Sequence, residues 1–138
     1  MSNEETVKSM YAAFGRGDIP TILEGLSSDI AWRIHVTLPE GFPYPEKANG
    51  PAAVGAWFQG LGGSTDFLLF EPRWFVSSGD RVVSGGVWDA KSKATGGRVA
   101  SEWVHCWRFD EGGKVLSFDD FLDGTALVAA HQPVAVPA

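Results

Sequence analysis

The sequence predicts an α+β fold in which helices pack on one face of a curved, mostly antiparallel sheet. Three observations lead to this prediction. Apolar residues recur at helical spacing in the first half of the chain, four long segments of the second half favour strands, and glycine-containing turns separate those strands. Short turns between consecutive strands are typical of an antiparallel meander, and helices followed by a run of strands are typical of the α+β class.

Three helices are predicted before the long strands, each with one apolar stripe. Ser2 and Glu5 have the spacing of a capping box at the start of the first helix. Asp18 is the candidate N-cap of the second helix, and Pro51 lies at the first position of the third, where proline is tolerated. The stripes are Val7, Met10, Tyr11 and Phe14, then Ile19, Ile22, Leu23 and Leu26, and finally Val54, Trp57, Phe58 and Leu61.

A short first strand and four long strands supply the predicted sheet. The first strand covers 30–36, and a loop with three prolines, 37–50, follows it. Long loops on small domains often border functional sites. Gly85 and Gly86 would permit a bend or bulge, so that the sheet curves into a cone with an open mouth. The long strands cover 65–78, 81–93, 98–109 and 114–123, and a closing helix starts at 124 with Asp123 as its candidate N-cap.

Length and composition limit the number of domains and the class of partner. A chain of 138 residues with 44% hydrophobic residues can form one core, so we expect a single domain over 1–132 and a loosely ordered tail over 133–138. The net charge of −6 and the lack of a basic run argue against nucleic acid as a partner. No segment resembles a membrane span or leader, so we expect a cytoplasmic protein that does not bind membranes. The single cysteine, Cys106, is expected to be a small buried residue.

The segment SEWVHCWRF, 101–109, raises the main question about function. Trp103, His105 and Trp107 alternate along the predicted strand and therefore share one face. Asp120 lies on the next strand, among apolar residues of the corresponding face. This face lines either a packed core that contains one satisfied imidazole, or a pocket.

Three stretches of the sequence resemble the nuclear transport factor 2-like superfamily, which includes ketosteroid isomerase and the SnoaL-like polyketide cyclases. MYAAFGRGDIPTILEGLSSDIAW is similar to its opening helix pair, NGPAAVGAWFQGL resembles its third helix, and EWVHCWRFDEGGKVLSFDDFLD resembles its closing hairpin. The resemblance spans nearly the whole chain and implies a cone-shaped, cystatin-like α+β barrel. It does not specify one chemistry, because this fold hosts isomerases, cyclases, dehydratases, epoxide hydrolases and non-catalytic adaptors.

The functional residues of ketosteroid isomerases are only partly present. In this resemblance, Ile34 takes the position of their general-base aspartate. Met10 takes the position of their oxyanion-hole tyrosine, with Tyr11 about 100° further around the helix. The protonated aspartate that completes the oxyanion hole corresponds to His105. The resemblance therefore argues against a steroid isomerase.

The SnoaL-like cyclases fit this sequence better. Their catalytic aspartate corresponds to Asp120 and a histidine of the preceding strand to His105, although the His-Trp pair before that aspartate is Phe118-Asp119 here. A buried carboxylate with an imidazole partner is suited to general acid–base work. Alternatively, Asp120 is a rim residue or a solvated outer carboxylate, and His105 is a core residue whose hydrogen bonds are satisfied locally.

Other candidate site residues lie around this pair. His35 follows the first strand and is a third catalytic candidate at the mouth of the cone, or else a surface histidine. The histidines lack metal-ligand spacing, so neither a metal nor another cofactor is expected. The aromatic residues predicted to contact a flat apolar ligand are Tyr11, Phe14, Trp32, Phe58, Trp88, Trp103, Trp107 and Phe118.

Two hypotheses for function follow. In the first, the protein binds a small apolar or polycyclic molecule and, as an enzyme, catalyses isomerisation, cyclisation or dehydration by proton transfer. Asp120 is then the general acid or base, and His105 is either its partner or a hydrogen-bond donor to a developing oxyanion. In the second, it is a non-catalytic ligand-binding or dimerisation module. The resemblance also implies a homodimer formed through the outer face of the sheet. Asp120 and His105 at hydrogen-bonding distance, inside a cavity of roughly several hundred Å³, would keep the enzyme hypothesis, whereas a filled cone or an outward-facing Asp120 would reject it.

Overall fold

The computed structural model describes residues 1–133 and confirms the α+β fold class. Within this range the chain forms four helices and six strands. The helices are α1 (Asn3–Gly15), α2 (Ile19–Glu24), α3 (Pro51–Ser64) and α4 (Gly124–Ala130). The strands are β1 (Leu26–Ile34), β2 (Lys47–Asn49), β3 (Thr65–Ser78), β4 (Arg81–Ser92), β5 (Arg98–Phe109) and β6 (Val115–Leu122).

The strands form one mixed sheet in the order β2-β1-β6-β5-β4-β3. Strands β3 to β6 are an antiparallel meander, and β1 pairs in parallel with β6. The turns of the meander contain Gly79, Gly96 and Gly113, each with positive φ, a conformation that glycine adopts without steric cost. The glycine turns therefore fix the order of the four long strands.

Helices α1 to α3 pack on the concave face of this sheet. The capping box of Ser2 and Glu5 is present at the start of α1, and Asp18 caps α2 by accepting a hydrogen bond from the Thr21 backbone N–H. Side chains of the three helices join those of β1, β5 and β6 in one core, which includes Val7, Val54 and Ile30. The concave face is thus covered by apolar helix stripes, as their spacing predicts.

A bulge in β3 curves the sheet next to the predicted glycine pair. The register of β3 against β4 shifts between Pro72 and Trp74, so Arg73 is an extra residue opposite Gly85 and Gly86. A Cβ atom on Gly86 would overlap the Glu71 carbonyl oxygen, and one on Gly85 would overlap the Trp74 ring. The two glycines therefore permit a close approach of β3 that other residues would prevent.

The structure corrects two details of the predicted elements. Leu26 belongs to β1 and not to the stripe of α2, because α2 ends at Glu24 and Gly25 lets the Met10 side chain of α1 pack against the chain there. The proline-rich loop contains β2, a three-residue edge strand that pairs with Ala31–Arg33. The predicted tail, 133–138, lies outside the described residues except for its first position.

Candidate functional site

Neighbouring strands bring His105 and Asp120 together on the concave face. The two residues are direct cross-strand partners in the β5–β6 hairpin, so their side chains leave the sheet side by side. His105 Nε2 lies 3.2 Å from Asp120 Oδ1, and the side chains are 8% and 15% exposed, respectively. The pair is therefore close and largely removed from solvent.

The Asp120 carboxylate retains an unused acceptor atom. The approach of His105 Nε2 to Oδ1 lacks the alignment of a hydrogen bond, and among residues 1–133 no other group donates to this buried oxygen. Buried polar atoms without a partner are uncommon because their desolvation is not compensated. Asp120 Oδ1 is thus a buried acceptor without a donor in this range, next to His105 Nε2.

On its other side, His105 joins a buried hydrogen-bond network. His105 Nδ1 lies 2.6 Å from the Tyr11 hydroxyl oxygen, which lies 2.6 Å from Ser84 Oγ. The Trp107 indole N–H donates to Ser84 Oγ at 3.1 Å. Ser84 and His105 are both buried. The network connects α1, β4 and β5 and holds the imidazole ring in place.

Two tyrosines close to the pair are held in the neutral form. Burial raises the pKa of Tyr11 well above its usual range; the Asp120 charge adds to this increase, whereas the Ser84 and Trp107 donors oppose it. Burial and the Asp120 charge also raise the pKa of Tyr44. Both phenols therefore remain hydrogen-bond donors at neutral pH.

The aromatic residues predicted to contact a ligand line one cavity together with Asp120 and His105. All eight side chains named above contribute to its wall, as do Met10 and Ile34, the positions that correspond to the ketosteroid isomerase tyrosine and base. Ile34 is the β1 residue in register with Asp120. Both Met10 and Tyr11 face this cavity, and Tyr11 is the residue that reaches His105.

The cavity is smaller than the sequence leads us to expect. Its volume is about 90 Å³, whereas drug-sized ligands occupy sites of roughly 300 to 1,000 Å³. An open groove of about 470 Å³ adjoins it between α1, α3 and β3. Cavity and groove share Tyr11, Phe14, Phe58, Leu61, Phe67 and Phe70 as lining residues. These six side chains form the partition between the two spaces.

Three tryptophans of the cavity wall have unpaired indole N–H groups. The Nε1 atoms of Trp32, Trp57 and Trp103 are buried, and within the described part of the chain none has a hydrogen-bond acceptor. Trp88, by contrast, donates to Ser101 Oγ at 3.0 Å. Buried donors without an acceptor are uncommon, because their desolvation is not compensated.

His35 does not join this site. Its Nε2 lies 2.7 Å from Asp119 Oδ1, and its ring stacks on Phe121 at 4.3 Å between centroids. Asp119 and Phe121 alternate with Asp120 along β6 and therefore belong to the outer face of the sheet. The structure thus places this third catalytic candidate on the side of the sheet opposite the cavity.

Ser84 and Tyr44 contribute to the site although the sequence did not single them out. Ser84 lies on the inner face of β4, as the register partner of His105. Its contact with Tyr11 becomes evident only once the strand register is known. Tyr44 is part of the proline-rich loop that was expected to border a site. A loop position alone does not indicate which of its residues enters the cavity.

Residues 1–133 contain neither a cluster of metal-ligating side chains nor a helix of membrane-spanning length. In residues 1–133, no three His, Cys, Asp or Glu side chains are grouped closely enough to hold a metal ion. No helix in the same range is long and apolar enough to cross a membrane.

Comparison with known proteins identifies the family. A family model described as the SnoaL-like domain matches residues 7–118, which is most of the chain. The chain belongs to the SnoaL-like family. The resemblance of its helix pair, third helix and closing hairpin to the nuclear transport factor 2-like superfamily is thereby confirmed. No curated protein matches this SnoaL-like sequence.

Solved structures similar to this SnoaL-like protein cover almost its full length. An NTF2-like protein from Burkholderia xenovorans is 30% identical, with a TM-score of 0.82 over 94% of this chain and 95% of that chain. An NTF2-like protein from Burkholderia thailandensis is 26% identical, with a TM-score of 0.82 over 96% and 99%. TerC, co-crystallised with polyporic acid, is 28% identical, with a TM-score of 0.75 over 93% and 96%.

Proposed function

We propose that this SnoaL-like protein binds a small, largely apolar molecule that carries oxygen atoms and catalyses proton transfer on it without a cofactor. The observation that carries the proposal is the buried pair of Asp120 and His105, 3.2 Å apart in the wall of an aromatic cavity. A carboxylate and an imidazole so placed can remove a proton next to a carbonyl group and stabilise the resulting enolate. Isomerisation, cyclisation and dehydration all use this step.

The composition of the cavity wall supports the class of ligand. Aromatic side chains favour a flat apolar body, and the indole N–H groups of Trp32, Trp57 and Trp103 would pair with oxygen acceptors on it. The 28% identity to TerC makes polyporic acid a reasonable first probe. In this proposal the oxygen-bearing end of the ligand enters the cavity beside Asp120.

The adjoining groove supports a ligand larger than the cavity. A volume of about 90 Å³ holds only a small fragment, but the groove of about 470 Å³ lies directly across the partition that includes Phe14 and Phe70. Rotation of these side chains would join the two spaces. The apolar body of the ligand would then lie in the groove while its reactive end lies next to the pair.

The first experiment measures binding and proton transfer separately. Binding of polyporic acid and of a panel of aromatic ketones is followed by tryptophan fluorescence, because the chain has six tryptophans whose emission would respond to a bound ligand. Proton transfer is followed by NMR as exchange of ligand protons next to the carbonyl group with D₂O. We expect at least one ligand to bind and to exchange faster with the protein than without it.

The second experiment compares two neighbouring aspartates. Asp120→Asn removes the proposed acid–base group and should slow exchange by about 10²- to 10⁴-fold while leaving the fold intact. Asp119→Asn is the matched control, because the same change on the outer face should leave exchange unaltered. Equal activity of Asp120→Asn and the unaltered protein would rule out Asp120 as the acid–base group. Binding without exchange for every ligand would favour the non-catalytic binding module.

A further inference from the structure

A buried chain of four polar side chains ends at the His105 imidazole. It runs from the Trp107 indole through the Ser84 hydroxyl and the Tyr11 hydroxyl to His105 Nδ1, with distances of 3.1, 2.6 and 2.6 Å. Ser84 and Trp107 are buried, and burial keeps the Tyr11 phenol neutral. Each of these four side chains therefore needs a hydrogen-bond partner among the other three.

The donor and acceptor capacities of these groups fix the direction of the hydrogen bonds. An indole N–H only donates, so Trp107 uses Ser84 Oγ as an acceptor. Among the described residues, the Tyr11 oxygen is the one acceptor within reach of the Ser84 hydroxyl proton. Tyr11 thus accepts from Ser84, and its own hydroxyl proton points to His105 Nδ1.

We propose that Tyr11, oriented by Ser84, holds His105 as the neutral imidazole with its proton on Nε2. Nδ1 then accepts from Tyr11, and the Nε2–H faces Asp120 and the cavity. This inference builds on the proposed function and assigns roles that the sequence leaves open. Asp120 is the proton acceptor, His105 is the hydrogen-bond donor to substrate, and Tyr11 is a positioning residue.

The reverse direction is disfavoured by the same network. An imidazolium, or the neutral form with a proton on Nδ1, would donate to Tyr11 and turn the Tyr11 hydroxyl towards Ser84. Ser84 Oγ would then accept from both Tyr11 and Trp107, and its own proton would lack an acceptor in the part of the chain that the structure describes. An unpaired hydroxyl proton in a fully buried position is a destabilising arrangement.

This arrangement defines the proton transfer at the pair. The Asp120 carboxylate removes a proton from the carbon next to the ligand carbonyl, and the electrons of the C–H bond pass into the enolate. His105 Nε2–H donates a hydrogen bond to the enolate oxygen without giving up its proton. The proton on Asp120 exchanges with solvent while the enolate is bound, and Asp120 then returns a proton to a carbon of the ligand, so the protein ends in its starting state.

The test is the tautomer of His105 in the ligand-free protein, measured by ¹⁵N NMR of the imidazole nitrogens. The chain has three histidines, so His105→Gln identifies the signals of residue 105 by their loss. In mildly alkaline buffer we expect a protonated Nε2 and an unprotonated Nδ1 on His105. A protonated Nδ1, alone or together with Nε2, would overturn the proposal.

The role of Tyr11 is tested by replacing each of the two tyrosines of the chain and measuring the ¹⁵N shifts of His105. Tyr11→Phe removes the donor to Nδ1, so the separation between the two ¹⁵N shifts of His105 should narrow as the tautomers mix. Tyr44→Phe removes the other buried phenol of the cavity wall and should leave this separation unchanged. An unchanged separation in Tyr11→Phe would also overturn the proposal. The spectrum of the unaltered protein remains decisive should Tyr11→Phe fail to fold.

This measurement is independent of catalysis. A protonated Nε2 in a protein that exchanges no ligand protons would leave the tautomer assignment intact and reject the proposed function. Conversely, an active enzyme with a protonated Nδ1 would keep the function and reject the assignment of donor and acceptor. If both hold, Tyr11→Phe should lower kcat for exchange more than it changes KM, because the donor it positions acts on the enolate.

Discussion

The two tyrosines show how burial sets the chemistry of single side chains. Tyr11 hydrogen-bonds to His105 and Ser84, and Tyr44 lines the same cavity from the proline-rich loop. Burial and the Asp120 charge raise the pKa of both phenols. A tyrosine in the unfolded chain ionises near pH 10. Both residues therefore favour the folded state below that pH, and the contribution is lost as pH rises from there towards their higher folded-state pKa values.

We expect the folded protein to resist tyrosine ionisation and to lose stability in alkali. Ultraviolet absorbance should show no tyrosinate at about pH 10 while circular dichroism remains native. Above this pH the free energy of unfolding, from urea titrations, should fall by up to about 1.4 kcal/mol per pH unit for each tyrosine. Tyr11→Phe should make that slope shallower. A native spectrum accompanied by full tyrosinate absorbance near pH 10 would contradict this prediction.

At the residue scale, the sequence predicts which side chains share a face better than it predicts what they bond to. Phe118 and Asp120 could be placed on one face of β6, and His105 on one face of β5 with Trp103 and Trp107, because strand alternation has a strict period of two. The same rule separates Asp119 from Asp120. The contact between Tyr11 and His105 joins residues 94 positions apart, and it depends on how far α1 slides along the sheet. No local pattern encodes that distance.

Individual elements depend on a few glycines where backbone approaches backbone. At the β3 bulge, a Cβ atom on Gly86 would overlap the Glu71 carbonyl oxygen and crowd the Trp103 ring. Trp103 belongs to the wall of the cavity. Gly63, near the end of α3, has open space around its Cα. The close packing around Gly86 therefore excludes a side chain, whereas the space around Gly63 does not.

We expect Gly86→Ala to destabilise the protein and Gly63→Ala to leave it unchanged or slightly more stable. The Gly86 change forces β3 away from β4, which should cost about 1–3 kcal/mol of unfolding free energy. The Gly63 change adds a good helix former at an exposed position of α3 and should contribute about 0.4–1 kcal/mol. Thermal or urea unfolding of both variants measures the difference. Equal stability of the two variants would show that the bulge tolerates a side chain.

The ends of helices and strands could be predicted where glycine turns or a neighbouring element mark them. Strands β3 and β5 have the predicted limits, because glycine turns or the end of α3 flank them. The spacing of Leu26 continues the α2 stripe and predicts a helical position, but α2 ends at Glu24, next to the contact of Gly25 with Met10. Strand β2 is three residues long, and alternation over three residues is too short to detect.

At the scale of the whole molecule, the outer face of the sheet carries an apolar row. Trp74, Gly85, Val104 and Phe121 are successive register partners across β3, β4, β5 and β6. Trp74 and Phe121 are each 42% exposed, which is unusual for such large side chains. Apolar residues grouped on one face mark a surface that is suited to protein–protein contact.

We expect this row to form the interface of a homodimer. Phe121→Glu would place a charge in the apolar row and should convert the dimer to a monomer. Light scattering after size-exclusion chromatography measures the molar mass and so distinguishes the two. Leu68→Glu alters a residue that is also exposed but lies at the groove, and it should keep the dimer. A monomeric unaltered protein, or a dimer that survives Phe121→Glu, would contradict the prediction.

Cys106 provides an independent measure of the same contact. It lies on β5 two residues from Val104, is partly buried, and is the one cysteine of the sequence. Burial, together with the Asp119 charge, raises the pKa of its thiol, so alkylation should be slow at neutral pH. In a dimer formed through the outer face, Phe121→Glu should accelerate alkylation. An unchanged rate would place the interface elsewhere.

The parallel pairing of β1 with β6 determines when the sheet can finish folding. The Trp32 and Phe118 rings stack at 3.9 Å between centroids, although 86 positions of chain separate them. During synthesis, helices α1 to α3 and the first strands can begin to pack, but β1 has no partner on this side until β6 has emerged. Contacts between distant parts of a chain slow folding. Closure of the cone is therefore expected to be a late kinetic event, and an incomplete chain would leave Trp32 open to aggregation.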